Sequence, residues 1–166
     1  MYPVSLGYGE AVKRIRALLK NGHSSEALLT CVFTIEKTAY RTLRMLVVSA
    51  GFPSVQADIL MKSFRGFENI KGVWQCFDPA HEGLAEFIPA TTLLTIKKGQ
   101  EMRNKLVHGS RVYPLSECSA VAKDLLTELS VVRGAFESRY GYDGWTKMKV
   151  RKKSRLHADP RVAVPS

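Results

Sequence analysis

An all-α fold, an antiparallel bundle of about four to six helices followed by a basic C-terminal arm, is what this 166-residue sequence predicts. Three observations predict it. Apolar residues recur at three- and four-residue intervals over long segments, no segment alternates apolar and polar residues as a half-buried strand does, and the breaks fall on turn residues such as Asn21-Gly22, Gly51-Phe52-Pro53 and Tyr113-Pro114. With 45% hydrophobic residues the chain can bury one core, and a second independent domain would be cramped. The division expected is a helical domain over 1–144 and a basic tail over 145–166.

Residues Gly9 to Lys20 carry Val12, Ile15, Leu18 and Leu19 at helical spacing, with Lys13, Arg14 and Arg16 between them. Ser24 or Ser25 can cap a long second helix through Ser49, whose Leu28, Val32, Ile35, Ala39, Leu43, Leu46 and Val47 trace one face. Ser54 opens a shorter helix through Phe64 bearing Val55, Ile59, Leu60 and Phe64. Phe67 to Phe77 forms a further short helix with Ile70, Val73, Trp74 and Phe77 inward, in a stretch punctuated by Gly66, Gly72, Pro79, Gly83 and Pro89. His81 and Glu82 fall in a solvated loop rather than at an auxiliary site.

From Ala90 to His108, Leu93, Leu94, Ile96, Met102, Leu106 and Val107 favour a helix. Gly99 in its interior weakens it by about 1 kcal/mol relative to Ala. Ser116 can cap a last long helix through Tyr140, with Val121, Leu125, Leu129, Val132 and Phe136 on its buried stripe and Gly141 at its end.

The net charge of +10 is unevenly placed. Beyond Trp145, Lys147, Lys149, Arg151, Lys152, Lys153, Arg155 and Arg161 face the single acid Asp159, so this segment reads as a mobile arm for a polyanion. Such an arm adds salt-sensitive affinity for RNA without choosing a sequence. Cys31, Cys76 and Cys118 are far apart and form no metal-type pair, which suits a reduced, cytoplasmic compartment. The apolar run Met45-Leu46-Val47-Val48 is too short to span a bilayer, so no membrane partner is expected.

Chemistry concentrates in Arg103-Asn104-Lys105-Leu106-Val107-His108-Gly109. Asn104 and His108 lie four apart and share a helix face, while Arg103 is offset by about 100°. A planar, permanent cation suits a phosphate oxygen, and an imidazole can take or give a proton near neutrality. Together they could cleave RNA through its own 2′-hydroxyl with no metal or cofactor, Lys105 adding field. The same residues also read as an ordinary helix exit, since Gly109 suits a left-handed C′ position and Lys105 and His108 suit the negative helix end. Arg151 and His157 form a similar Arg and His spacing in the tail without an amphipathic helix, which shows that spacing alone proves little.

Arg103-Asn104-x-x-x-His108 resembles the signature of HEPN domains, small all-helical proteins whose Arg, polar residue and His form a metal-independent RNase site. The resemblance implies a HEPN-like bundle with Arg103, Asn104 and His108 as its catalytic set. It also implies a symmetric homodimer that brings two motifs into one composite cleft. Some members are toxins whose antitoxin, a minimal nucleotidyltransferase, modifies a Tyr two residues beyond the His. That position is Ser110 here and the next tyrosine is Tyr113, which leaves direct binding as the way an antitoxin protein would act. In the family an acidic residue from an earlier helix can hold the Arg, a role open to Glu36. An exposed helix face, with Glu36 beside Lys37 and Arg41 in solvent, is the expectation taken instead.

The function expected is therefore an endoribonuclease, a toxin or abortive-infection effector. Set against it are a helical module that binds nucleic acid or protein without cutting, and an inhibitory or scaffold protein.

Overall fold

The computed structural model describes residues 7–147 and 150–156. Among them are six α-helices and no strand: α1 (Tyr8–Lys20), α2 (Ser24–Ser49), α3 (Ser54–Met61), α4 (Phe67–Phe77), α5 (Ala90–Val107) and α6 (Leu115–Tyr140), with a 3₁₀ turn at Leu84–Glu86. No described helix is long and apolar enough to cross a membrane.

α2 is the axis of the bundle and touches every other helix. One stripe buries Leu28, Val32, Ile35, Leu43 and Val47, each such side chain contributing about 2 kcal/mol relative to exposure. A second stripe is polar: Thr30, Thr34, Thr38 and Thr42 are all buried. Each Thr hydroxyl donates to the carbonyl four residues back, at 2.6 to 2.9 Å, which satisfies its O–H within the helix. These short side chains let neighbouring backbone come close.

α5 meets α6 through Gly99, where a Cβ would stand 2.7 Å from Leu125 Cδ1. The glycine that weakens α5 locally thus leaves room for the Leu125 side chain in the helix contact. The buried Thr92 hydroxyl donates to Glu128 Oε2 at 2.6 Å across the same pair. α4 and α6 are joined at their ends by Asp78, whose carboxylate accepts from Arg139 Nε and Nη2, from the Tyr140 hydroxyl and from the Ala80 and Glu82 N–H groups. Trp74 stacks on Phe136 at 5.1 Å and donates its indole N–H to the Tyr140 oxygen at 2.9 Å. Burial alone would raise the Asp78 carboxyl, but these donors outweigh it and hold the group well below the usual carboxylate range.

Several details differ from the sequence expectations. His23, Pro53 and Pro114 occupy the N-cap positions in place of Ser24, Ser54 and Ser116, so none of those serines caps its helix. α3 stops at Met61, and Lys62 to Phe64 continue as a tight turn of N–H bonds to carbonyls three residues back. Val55 and Ile59 face solvent on this short helix, while Ala57 and Met61 fill the core.

The largest difference concerns the basic tail. Trp145 is not the root of a free arm: its indole N–H donates to Thr38 Oγ1 at 2.9 Å, and Tyr8 and the Arg41 guanidinium pack on its ring. Gly144, at φ +87°, passes so close to Thr38 that a Cβ would lie 2.7 Å from its carbonyl oxygen. Farther on, Arg151 O accepts from the Ser54 N–H at 2.8 Å, the Arg151 N–H donates to Ser54 Oγ at 3.0 Å, and its Nε donates to Val48 O at 2.9 Å. The Arg155 N–H reaches Gly51 O at 3.0 Å. The chain is strapped across the turn between α2 and α3 because that turn offers unpaired backbone groups to an extended segment.

Candidate functional site

The end of α5 builds the site. His108 is the C-cap, at φ −86° and ψ 2°, followed by Gly109 at φ +63°. The Ser110 N–H bonds to Lys105 O at 3.0 Å and the Gly109 N–H to Leu106 O at 3.2 Å, the paired bonds of a Schellman exit. The reading as an ordinary helix end is therefore correct for the backbone. It is also what holds the imidazole at the rim, exposed and without any hydrogen bond or ion pair of its ring among the described residues. Asn104 and Lys105 are likewise exposed.

Arg103 points elsewhere. Its Nη2 donates to Glu36 Oε1 at 2.7 Å, and Gln100 Nε2 donates to the same oxygen at 3.0 Å. The guanidinium lies 5.3 Å from the centre of the Phe33 ring, and its Nε is buried without a hydrogen-bond acceptor. Only 19% of the Arg103 side chain and 17% of the Glu36 side chain remain exposed, so Glu36 is not the solvated neighbour of Lys37 and Arg41 expected from sequence. It is the residue that orients the cation. The signal was its place beside the Val32, Ile35 and Ala39 stripe; Gln100, three residues before Arg103, carried none.

Arg103 and Asn104 open onto a groove of about 300 Å³ between α2, the start of α4 and α5, lined by Glu36, Arg65 to Asn69, Lys97, Gln100 and Glu101. His108 is not part of that lining. One chain thus brings Arg103, Asn104, Glu36 and Gln100 together and leaves the imidazole at the end of the same helix.

The described part of the tail does not join this cluster. Lys147, Lys152, Lys153 and Arg155 are exposed, and Lys149 and His157 lie outside the described residues. Arg151 is held at Val48, about 18 Å along the α2 axis from Glu36. The loop pair is separate too: Glu82 pairs with Arg139 at 2.7 Å and His81 Nδ1 lies 3.1 Å from Gln75 O. Tyr113, the tyrosine nearest the motif, is buried under the Arg111 guanidinium. Among the described residues no group of His, Cys, Asp and Glu is arranged to hold a metal ion.

No protein-family model, curated protein or solved structure matches this chain.

Proposed function

We propose that the chain is a metal-independent endoribonuclease of HEPN type, acting on RNA in the cytoplasm as a toxin or antiviral effector. The observation that carries this reading is the pairing of an oriented arginine with an unpartnered, exposed histidine at one helix end, joined by Asn104. In the reaction His108 removes the proton from a ribose 2′-hydroxyl, or delivers one to the departing 5′-oxygen. The 2′-oxygen bonds to phosphorus as the bond from phosphorus to the 5′-oxygen breaks, leaving a 2′,3′-cyclic phosphate and a 5′-hydroxyl. Arg103 stabilises the charge on the non-bridging oxygens, and Asn104 positions the phosphate.

General acid and general base are both needed, and one chain offers one imidazole. A twofold homodimer with a composite site supplies two. Exposed apolar side chains flank the His108 turn at Val107, Val112 and Leu115, Val112 with 88% of its surface open, and they suit a second copy as partner. An antitoxin protein would act by covering the same end.

The test is incubation of mixed RNA with the purified protein and with His108→Ala and Arg103→Ala variants, with and without EDTA. Cleavage that yields cyclic phosphate ends, survives EDTA and disappears in both variants is expected. Cleavage retained by His108→Ala would overturn the assignment. A second reading, a module that binds RNA without cutting it, is favoured by one observation: Arg103 faces the groove and Glu36 while His108 does not. Salt-sensitive retention of intact RNA would mark that case.

A further inference from the structure

The polar face of α5 does not stop at the motif. Lys97, Glu101, Asn104 and His108 follow one another at spacings of four, three and four, so they form one stripe along the helix. All four are exposed, and none has a side-chain partner among the described residues. Their N-terminal half forms a wall of the groove, whose opposite side is Arg65, Gly66 and Asn69 at the start of α4.

The groove's charges sort into those already satisfied and those left open. Glu36 is taken by Arg103 and Gln100, and Glu68 pairs with Lys71 at 3.3 Å. Two cations, Arg65 and Lys97, and one carboxylate, Glu101, have no side-chain partner among the described residues. A bare anion would not call for the carboxylate. A ligand with a phosphate at one end and paired N–H donors at the other would use all three groups.

We infer that this groove is a nucleotide subsite for guanine, seating a residue of the RNA next to the phosphate attacked at His108. Guanine presents N1–H and N2–H side by side, a match for the two oxygens of Glu101. The other bases offer a carboxylate no such pair of fixed donors along one edge. Lys97 and Arg65 receive the nucleotide's phosphate, and Asn104 supplies an amide between, while the Asn69 amide is already donated to Arg65 O at 2.7 Å. The first turn of α4, with Gly66 at φ +79° and no side-chain cap, lines the same space. At about 300 Å³ the groove meets the lower bound of small-ligand clefts, roughly 300–1,000 Å³. Glu101 stands about 10 Å along α5 from His108.

The inference rests on RNA being the ligand of this helix face, and its test separates the two. The full chain is titrated by calorimetry with 5′-GMP, 5′-AMP, 5′-CMP and 5′-UMP, as wild type and as Glu101→Gln and Lys97→Ala variants whose folding is checked by circular dichroism. GMP is expected to bind roughly tenfold more tightly than the other three. Glu101→Gln should erase that preference, and Lys97→Ala should weaken all four alike. Equal binding of the four nucleotides, or a preference that survives Glu101→Gln, overturns the subsite. Selective GMP binding by a chain that never cleaves RNA upholds the subsite and removes the nuclease. Cleavage without base preference does the reverse.

Discussion

Arg103 on α5 and Glu36 on α2 form an ion pair at 2.7 Å in which both side chains are more than four-fifths covered. The pair joins two helices and aims the cation. Breaking a partly buried pair leaves an uncompensated charge, so Glu36→Ala should lower the unfolding free energy by about 1–3 kcal/mol and depress RNA cleavage together. Urea denaturation of Glu36→Ala, Arg103→Ala and the double variant measures the coupling, expected at about 0.5–3 kcal/mol. A coupling near zero would show that the contact orients nothing.

His108 should behave in the opposite way. Its ring is exposed and unpartnered, so His108→Ala is expected to change stability by less than about 0.5 kcal/mol while abolishing cleavage. Matched melting curves and RNase assays check both halves. A variant that loses activity only because it unfolds would remove the case for a chemical role.

The Asp78 carboxyl is held below its unfolded value, so its contribution to stability is present at neutral pH and fades as pH falls below about 4 toward the folded-state value. Tyr140 is shifted the other way: burial, then its bond to Asp78, pushes the phenol up to about 12. Its contribution is complete below about pH 10 and is lost as pH rises through 12. Asp78→Asn should therefore be less stable at pH 7 and show a shallower acid decline in a series of thermal melts. An unchanged acid limb would mean that other carboxylates govern it.

Gly99 offers a packing test. Alanine would gain roughly 0.5–1 kcal/mol of helix propensity, yet its Cβ would stand 2.7 Å from a methyl of the fully buried Leu125. Overpacking should win, with Gly99→Ala destabilised by about 1–3 kcal/mol and Leu125→Val in the same chain restoring part of the loss. A stabilised Gly99→Ala protein would show that α6 yields easily.

The strap can be followed by limited proteolysis. Trp145→Phe removes the indole donor to Thr38, worth about 1 kcal/mol, and should speed trypsin cleavage at Lys147 with little effect on the core. Cleavage at the wild-type rate would mean that Gly144 and Arg151 hold the segment without it.

The long helices were legible because their burial is periodic: Leu28 to Val47 on α2 and Val121 to Phe136 on α6 are the residues the spacing selects. The exit of α5 at His108 and Gly109 was legible as well, since its hydrogen bonds are local. α3 was read less well. In eight residues two apolar positions exposed to solvent outweigh the period, and Val55 and Ile59 carry no mark that separates them from core.

The sequence by itself determined the helical class, the order of the elements and the place of Arg103, Asn104 and His108 at one helix end, because propensity, period and capping act within a few residues. Only the tertiary structure decided that Glu36 and Gln100 hold Arg103, that the groove beside them excludes His108, and that Trp145 and Arg151 bind the tail to α2 and α3. Those relations join residues dozens of positions apart, and a contact of that kind depends on which helix faces meet. Thr38 and Gly99 show the reason: one is a poor helix former and the other a poor helix residue, and each is suited to its place only by the neighbour it lets approach.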